Sequence, residues 1–453
     1  MSFGEAVDRK SRDLAMTATI TLFEHEVGEF DWTDRDLAAL ERLNRAAGVD
    51  VLRATVRGRR HLVKATQYVG VIRLGRRTIQ VLPKIYQSND AASQQQRARE
   101  ATYNLLYMLE YAGQLPVREH ALAPLLQRDL DWFEILTRLF ASHLTQEWQR
   151  GAYRGYQVIE DELPVLKGKW RLADQLRRPE RKHIFAIAYD EFTSDNRLNR
   201  VFRFVVERLW HLTRDAETRQ QLYVLRQWLE EVALLPKVTV ADASPTLLTR
   251  LNQRFEPLLN LARLFLDNSA LQLAAGDLKT FAFVFDMNQL FESFVVNFIL
   301  RHNRHDNILP PALQECELLP QSRGVAFYLA RRDRKPVFRL KPDLAFRDGN
   351  QFPLLLDTKY KRLDKADIKL GVSQSDFYQM HAYLYRYHCP RVLLLYPQTA
   401  ALSEPLHIRF ALEDSDKVIM AATVDLRVEL GKREGRKSLA KEMKSILQEV
   451  SQL

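Results

Sequence analysis

The sequence predicts an α+β multidomain protein, and three observations support this fold class. At 453 residues the chain is too long for one hydrophobic core, so about two or three domains are expected. Short β-branched runs dominate near the N-terminus, whereas a long stretch with helical periodicity follows them and then gives way to strand-like segments. The predicted parts are a β-rich N-terminal domain at 1–95, a mainly helical middle region at 96–275 and a C-terminal α/β domain at 276–453.

Hairpins are the main prediction for the N-terminal part. Its β-branched runs are interrupted at Arg57-Gly58 and again at Gly75-Arg76-Arg77. Breaks of this kind between apolar runs are typical of tight turns that join antiparallel strands. The polar segment QSNDAASQQQRARE comes next, and it indicates a linker or the exposed start of a helix.

The middle region follows the helical period. In ATYNLLYMLEYAG the apolar residues recur on one helical face, and Gly113 is a candidate C-cap. The segment DWFEILTRLFASHLTQEWQRG repeats this pattern and also ends in glycine. Residues 197–235 and 246–275 are predicted to form further long helices.

The C-terminal part begins with FDMNQLFESFVVNFILRH, a predicted apolar helix that carries one acid, Glu292. Several shorter elements are expected after it. They are strands at 325–330, 337–346, 353–358 and 391–397, a helix near 374–387, and a basic helix after Lys432. This alternation of helix, strands, helix and strand is typical of an α/β core.

Composition narrows the class of protein. With 46% hydrophobic and 27% charged residues, the chain is expected to be globular and soluble. The first 20 residues mix both charges without an apolar run, which argues against a signal peptide, and no apolar stretch is long enough to cross a bilayer. A cytoplasmic protein is therefore expected. Two cysteines are too few for a disulfide framework or a four-cysteine zinc site.

The positive charge is unevenly placed. The net charge of +10 is compatible with a polyanionic partner, because lysine and arginine neutralise phosphates. Six basic residues and one acid lie between Arg331 and Lys341, and five more basic residues with two acids lie between Lys359 and Lys369. These two clusters flank the segment with the strongest chemical signal.

That segment is LKPDLAFRDGNQFPLLLDTKYKR, residues 340–362. Residues i and i+2 of a strand point to the same side, so Asp357 and Lys359 are expected to share a face, with Thr358 turned away. The turn DGNQ reverses the chain after the preceding strand and brings Asp343 beside Asp357. Two carboxylates and a lysine are thus predicted at one edge of a sheet.

Such a group has two interpretations. A carboxylate pair can hold Mg²⁺, which keeps several waters and stabilises charge on a phosphate, and Lys359 can orient an attacking water. Alternatively, Asp343 caps a turn while Asp357 and Lys359 form a surface ion pair, because a D-x-K pattern is short and common. The residues alone leave both interpretations open.

The PD…DxK arrangement resembles the PD-(D/E)xK nuclease superfamily. The resemblance implies that Glu292, on the preceding helix, is an additional metal ligand. Gln379 and Tyr383 in DFYQMHAYLY lie four residues apart on one helical face and are similar to the Q-x-x-x-Y motif of RecB-type nucleases. His381 and His388 have no third ligand at a suitable spacing and are expected to be ordinary histidines.

Five blocks in order resemble the McrC family: YVGVIRLGRRTIQVLPKI, NLLYMLEYAG, DEFTSDNRLNRVF, FDMNQLFESFV and LLLDTKYKR. The resemblance implies the nuclease subunit of a modification-dependent restriction and anti-phage system. Its implied cofactor is Mg²⁺, with Mn²⁺ as a substitute, and its substrate is double-stranded, modified DNA. Its implied partner is an McrB-like AAA+ GTPase or ATPase ring, whose hydrolysis it stimulates. The motor must be a separate chain, because this sequence has no phosphate-binding G-x-x-x-x-G-K-[ST] loop.

The residue assignments implied by the resemblance fall into four groups. The predicted catalytic residues are Lys359, Asp343, Asp357 and Gln379, and the predicted metal ligands are Asp343, Asp357 and Glu292. The predicted DNA contacts are Lys341, Lys361, Arg362 and Tyr383, and the predicted motor contacts are Arg57, Arg59 and Arg60. Two other functions stay open: a regulatory activator of an AAA+ motor that does not cut DNA, and a stand-alone RecB-like repair nuclease.

Overall fold

A computed structural model describes most of the chain, which forms two compact units. One unit comprises Met1–Leu115 together with Thr280–Leu453, and the other comprises Pro116–Lys279. No helix in the described part is long and apolar enough to cross a membrane. The described residues are 19–29, 32–57, 60–74, 77–87, 94–113, 115, 130–177, 180–181, 183–268, 280–364, 367–400, 402, 404–413 and 415–453.

The N-terminal segment of the first unit is β-rich, as predicted. Its strands β3 and β4 pair antiparallel, and so do β5 and β6, which confirms both predicted hairpins although residues 58–59 and 75–76 are outside the described residues. The elements are β1 (Thr19–Phe23), β2 (Val27–Glu29), α1 (Asp34–Ala47), β3 (Leu52–Arg57), β4 (Arg60–Ala65), β5 (Tyr68–Leu74), β6 (Arg77–Leu82) and α2 (Gln94–Tyr111).

The C-terminal segment of the same unit alternates helices and strands. Helix α8 begins after its N-cap Asp286, whose side chain accepts a hydrogen bond from the N–H of Asn288, and it ends at Asn307 in the left-handed conformation. The elements of this segment are β10 (Thr280–Asp286), α8 (Met287–Asp306), β11 (Glu317–Pro320), β12 (Phe327–Arg332), β13 (Lys335–Leu340), β14 (Leu344–Asp348), β15 (Gln351–Thr358), α9 (Gln374–Arg386), β16 (Arg391–Pro397), β17 (His407–Ala411), β18 (Val418–Val424) and α10 (Arg433–Gln452).

Strand β10 joins the two segments of the first unit. It pairs antiparallel with β5 over seven residues, in a four-stranded sheet of order β1-β6-β5-β10. Helix α2 also packs with this unit, because the Tyr111 ring contacts Phe294 edge-to-face and lies against Phe298 of α8 at a tilt. The structure therefore groups residues 1–95 with 276–453, which the sequence analysis treated as separate domains, and it adds α2 from the predicted middle region.

The core of the C-terminal segment is a six-stranded sheet of order β11-β14-β15-β16-β18-β17. Strands β15, β16 and β18 run parallel and are almost entirely buried, because LLL, VLLLYP and VIMAATV are apolar on both faces. Strands β14 and β15 form an antiparallel pair at one side of these central strands. A separate two-stranded sheet, β12-β13, lies between β11 and β14 in the chain.

The second unit is mainly helical but not entirely so. Its helices pack through buried aromatic side chains such as Phe140, Phe202 and Phe265. The predicted helix over 197–235 is interrupted, because Asp215 caps a new helix after Thr213 leaves the helical conformation. A three-stranded sheet of order β7-β9-β8 was not predicted. The elements are α3 (Trp132–Gln149), β7 (Gly155–Leu163), β8 (Lys169–Trp170), α4 (Leu172–Leu176), β9 (Phe185–Thr193), α5 (Arg197–Leu212), α6 (Ala216–Trp228) and α7 (Glu256–Asn268).

Candidate functional site

The candidate site lies where β14 begins and β15 ends. Leu344 of β14 is paired with Leu356 of β15, so the next residues outward, Asp343 and Asp357, come side by side as predicted. Residues 354–356 form a buried central strand, and Asp357 at its end is only 2% exposed. Two carboxyl groups are thereby placed at the carboxyl end of β15, where the apolar core stops.

Thr358 holds Asp343 in place. Its backbone N–H and its hydroxyl both donate to Oδ2 of Asp343, at 2.6 and 2.7 Å. The prediction that Thr358 is turned away from the site was therefore wrong in one respect, since its hydroxyl takes part in this contact. Both bonds come from the neighbouring strand and not from a local turn, and they place Asp343 beside the buried acid Asp357.

Lys359 links the acids to helix α9. Its Nζ lies 2.6 Å from Oδ2 of Asp357 and donates to Oε1 of Gln379 at 3.0 Å. Gln379 in turn donates through Nε2 to the Tyr383 hydroxyl at 2.8 Å, which confirms that the two residues share a face. The side chains of Asp357 and Lys359 are 3% and 18% exposed, so their contact is a buried ion pair and not a surface one.

Burial dominates the electrostatics of the site. It raises the pKa of Asp343 to about 8, and the charges of Asp357 and Glu292 act in the same direction. Burial also raises the pKa of Asp357, although Lys359 opposes the shift. Burial alone would lower the pKa of Lys359. The attraction of the Asp357 carboxylate is stronger than this effect, so the Lys359 pKa is raised. The ammonium therefore stays charged among acids that resist ionisation.

Glu292 of α8 faces the same group of acids. Its Oε1 accepts a hydrogen bond from Nε2 of Gln321 at 2.8 Å, and the backbone N–H of Gln321 donates to the Asp343 carbonyl at 2.8 Å. Gln321 thus connects two of the three acids that the sequence analysis assigned as metal ligands. Its own part in the site was not predicted.

The side chains fit a magnesium site with few protein ligands. Within the described ranges, no three His, Cys, Asp or Glu side chains converge closely enough to hold a metal ion. Mg²⁺ commonly uses one or two carboxylates and several waters, so Asp343 and Asp357 are a sufficient set. The buried Oδ2 of Asp357 lies 2.6 Å from the Lys359 ammonium and has no further hydrogen-bond partner in the described part of the chain. Glu292 does not converge with this pair, although its charge acts on both acids, and it is held by Gln321.

Asp376 is a further acid that the sequence analysis missed. It is 6% exposed, and its Oδ2 accepts a hydrogen bond from Nζ of Lys361 at 2.6 Å. Its N–H donates to the hydroxyl of Ser373, the N-cap of α9, at 3.2 Å. The pattern Ser-x-x-Asp at the start of a helix is similar to a capping box and was the available signal. The charge of Asp376 adds to those that raise the pKa values of Asp357 and Lys359.

The predicted DNA contacts have different surroundings. Lys341 is exposed, whereas Lys361 is paired with Asp376. Arg362 donates to the carbonyl of Lys84 at 3.4 Å and to the side chain of Gln87. Tyr383 is 1% exposed and belongs to the core, so its placement does not fit a direct contact with DNA. It supports Gln379 instead.

The residue after Lys359 is held by the N-terminal segment. The Tyr360 hydroxyl donates to Oε2 of Glu24 at 2.9 Å, and its carbonyl accepts from Nζ of Lys84 at 2.8 Å. The backbone N–H of Lys84 also donates to Oε2 of Glu24 at 2.9 Å. The backbone beside Lys359 is therefore fixed by two buried residues that are far away in the sequence.

The predicted motor contacts lie at the β3–β4 hairpin. Arg57 and Arg60 are paired at the ends of these strands, while Arg59 lies outside the described residues. His381 and His388 are both exposed, and His381 stacks on Tyr385 with ring centroids 4.5 Å apart.

Comparison with known proteins agrees with this architecture. The family model described as McrBC 5-methylcytosine restriction system component matches residues 63–397. The chain belongs to the McrBC family. The family predicted from the sequence blocks is therefore confirmed at this level.

Two solved structures are similar to this chain. A chain from the refined half-complex of the tetradecameric assembly of Thermococcus gammatolerans McrB AAA+ hexamers with bound McrC has a TM-score of 0.68 and 24% identity, over 96% of this chain and 100% of that one. This likeness shows a shared fold. A chain from the cryo-EM structure of the Thermococcus gammatolerans McrBC complex has a TM-score of 0.49 and 26% identity, over 63% and 88% of the two chains. No curated protein matches the sequence.

The McrBC family match includes every residue of the candidate site. It begins within β4 and ends with β16, so it covers Glu292, Asp343, Asp357, Lys359 and Gln379. It also includes Lys84, whose side chain holds the backbone of Tyr360. Strands β17 and β18 and helix α10 lie beyond the matched range.

Proposed function

We propose that this chain is an McrC-like, Mg²⁺-dependent DNA endonuclease subunit of a modification-dependent restriction system that acts in anti-phage defence. It would cut DNA together with an McrB-like AAA+ GTPase motor, whose NTP hydrolysis it would stimulate. The observation that carries this proposal is the pairing of half-buried Asp343 with buried Asp357, with Lys359 held against Asp357. Membership in the McrBC family supports the same reaction class.

Each side chain has a role that follows from its contacts. Asp343 and Asp357 would hold Mg²⁺, with Glu292 as a further ligand after it leaves Gln321. When bound, Mg²⁺ supplies a Lewis acid that stabilises negative charge on the scissile phosphate. Lys359 keeps its proton beside Asp357 and would donate to a phosphate oxygen or orient the attacking water. Gln379 and Tyr383 limit the positions that the Lys359 ammonium can take.

The motor is the second part of the proposal. The β3–β4 hairpin, with Arg57, Arg59 and Arg60, is the proposed contact with the McrB-like ring. Changing these three arginines to alanine is expected to weaken stimulation of the motor's NTP hydrolysis. The test requires the whole chain, because a fragment that starts at residue 276 would separate β10 from its partner β5.

Cleavage of supercoiled DNA tests the proposed function directly. The full-length chain is incubated with Mg²⁺ and plasmid that carries 5-methylcytosine, with and without an McrB-like motor and its nucleotide. An unmethylated plasmid and the Lys359→Ala variant are the matched controls. We expect nicked or linear products only when the chain, the motor, the nucleotide and Mg²⁺ are all present.

The other outcomes point to the other functions. Stimulated NTP hydrolysis without any cleavage would favour a regulatory activator, and cleavage without the motor would favour a stand-alone nuclease. Equal cleavage by the wild-type chain and by Lys359→Ala would show that the activity does not come from this site.

A further inference from the structure

A basic hairpin projects from the candidate site. We define it as β12, β13 and the turn between them, residues 327–340. It is the connection between β11 and β14, and both of its ends lie at the site. On one side Gln321 bonds Glu292 and the Asp343 carbonyl, and on the other side the chain reaches Asp343 three residues after Leu340.

The base of the basic hairpin is packed firmly. The Phe327 ring lies 5.8 Å from the Phe352 ring and 4.3 Å from the Tyr387 ring. Nε of Arg386 donates to the Tyr328 carbonyl at 2.8 Å. These contacts join the hairpin to β15 and to α9, the elements that carry Asp357 and Gln379. The orientation of the hairpin is therefore fixed relative to the candidate site.

The tip of the basic hairpin is stiff and strongly positive. Asp333 and Arg334 have φ values of 49° and 64°, which is the geometry of a tight two-residue turn that matches the twist of the strands. Six exposed basic residues and one acid lie on the hairpin and directly after it. The basic residues are Arg331, Arg332, Arg334, Lys335, Arg339 and Lys341.

This charge is available to a partner. Arg332 lies 3.7 Å from Asp333, but both side chains are more than 80% exposed, and such pairs are weak. Two of the predicted DNA contacts are engaged elsewhere, since Lys361 pairs with Asp376 and Arg362 bonds the N-terminal segment. The basic hairpin instead presents a group of exposed cations that can meet phosphates.

One side of the hairpin is apolar and exposed. Phe338 is 72% exposed and Leu329 is 51% exposed, on facing parts of the two strands. Phe338 has a φ of 58°, which is strained for a bulky side chain and which interrupts the pairing between Tyr328–Arg339 and Ala330–Val337. The strained backbone presents the ring to solvent beside the basic tip.

We propose that the basic hairpin is a DNA-gripping arm. Its tip cations bind the phosphates of duplex DNA that enters the candidate active site, and Phe338 and Leu329 lie against the groove. This assignment rests on the proposed nuclease function, because the arm serves the same substrate. Two-stranded β-ribbons fit the major groove, and a six-residue strand extends about 20 Å, so the tip reaches phosphates about six base steps from the cut.

The test measures how tightly the full-length chain binds duplex DNA. Fluorescence anisotropy reports the binding, and EDTA is present so that no cleavage occurs. The arm variant changes Arg331, Arg332, Arg334 and Lys335 to glutamine. The matched control changes four exposed basic residues of α10, Arg433, Lys437, Lys441 and Lys444, also to glutamine. Both variants lose the same formal charge, so they separate a specific arm from a general effect of net charge.

We expect the arm variant to lower the slope of log affinity against log salt by up to about 3.6 units, because each of its four cations contributes about 0.9 when it contacts a phosphate. The α10 variant should bind like the wild type. Phe338→Ser should weaken binding several-fold without changing the salt slope. Equal losses in the arm and α10 variants, or no loss in the arm variant, would overturn the proposal. So would failure of the wild-type chain to bind a duplex, either alone or with the motor.

Cleavage separates this inference from the proposed function. If the arm binds DNA, the arm variant should need more DNA for half-maximal cleavage but should reach the wild-type rate at saturation. Salt-sensitive binding through the arm without any cleavage by the wild type would reject the nuclease and keep the arm. Normal DNA binding with lost stimulation of the motor would assign the hairpin to a protein contact and reject the arm.

Discussion

Two buried clusters of ionisable side chains lie on either side of the peptide between Lys359 and Tyr360, and they differ in their balance of charge. Around Tyr360, Glu24 is balanced by the ammonium of Lys84, and both groups bond the chain locally. Around Lys359, the three acids Asp343, Asp357 and Glu292 influence one another, with a single ammonium among them. The first cluster supports the fold, whereas the second is unbalanced because it has more carboxyl groups than ammonium groups.

This difference identifies which cluster has a use beyond stability. Buried charges are costly unless they are paired, so a cluster that holds the fold together should be balanced. An excess of carboxylates costs stability without a cation, and a divalent cation offsets that cost. The comparison therefore predicts that neutralising an acid of the Lys359 cluster changes cleavage and metal binding, whereas neutralising Glu24 changes only stability.

The largest expected effect comes from Asp343→Asn. Asparagine can still accept the two bonds from Thr358, but it cannot supply a carboxylate, so cleavage should fall by about 10³-fold or more. Without metal, the unfolding free energy should rise by about 1 kcal/mol or more, because the repulsion that helps to raise the Asp343 pKa is removed. Cleavage rates and urea unfolding measure the two effects.

Asp348→Asn is the matched control for this change. Asp348 lies at the far end of β14, the strand that follows Asp343, and it is exposed, so both cleavage and stability should be unaffected. Mg²⁺ should stabilise the wild type and Asp348→Asn but not Asp343→Asn. If Asp343→Asn cuts DNA like the wild type, or is less stable than it, the acids around Lys359 are structural and the comparison between the clusters fails.

Lys359 gives the next effect. Lys359→Ala should reduce cleavage by about 10²-fold and should also destabilise the protein, because Asp357 loses its ion pair in a buried position. Lys359→Arg should not restore the rate, since its planar guanidinium cannot occupy the position between Asp357 and Gln379. Lys369→Ala, at an exposed lysine nearby, is the control and should behave like the wild type. A fully active arginine variant would indicate a general charge effect.

The sequence predicted the placement of the site's side chains better than it predicted their supports. Strand alternation and the DGNQ turn placed Asp343, Asp357 and Lys359 together, because these relations depend on local geometry. The same reasoning put Gln379 and Tyr383 on one helical face. It did not show that this face is the buried one, and it therefore treated Tyr383 as a contact for DNA.

The missed features depend on contacts between distant parts of the chain. Nothing in the periodicity of YVGVIRL indicates that β5 will pair with β10, more than 200 positions later. Glu24 and Lys84 look like ordinary surface charges in the sequence, and only the tertiary fold brings them to Tyr360. Gln321 likewise reaches Glu292 and Asp343 through a loop that local pattern does not define.

The cluster around Tyr360 should make the stability of the protein depend on pH. Burial raises the pKa of Glu24 to about 7, from 4.5, with Lys84, Tyr360 and Arg362 facing it. As the pH rises, Glu24 ionises in the unfolded chain before it ionises in the folded protein. Its contribution to stability is therefore full below pH 4.5 and is lost as the pH rises to about 7. Over this pH range, the unfolding free energy of the wild type should therefore fall by on the order of 2 kcal/mol more than that of Glu24→Gln.

Urea unfolding at a series of pH values measures that difference, and Glu41→Gln, on the exposed face of α1, should follow the wild type. Asp343 titrates in both proteins, so it cancels when the two curves are subtracted. Parallel curves for the wild type and Glu24→Gln would mean that Glu24 is not buried as described. The cluster around Tyr360 could then no longer be described as one that supports the fold.

The smallest expected effect lies in the support behind Lys359. Gln379→Ala removes one of the two partners of the ammonium but leaves Asp357, so cleavage should fall by about tenfold. Tyr383→Phe removes only the hydroxyl that holds Gln379 and keeps the buried ring, so a smaller loss is expected. The double variant should lose no more than Gln379→Ala alone, because the hydroxyl acts through the amide. If the double variant instead loses the product of the two single losses in cleavage rate, Tyr383 contributes independently of Gln379. That result would place a second contact to the site on α9 and would extend the unbalanced cluster beyond the acids and Lys359.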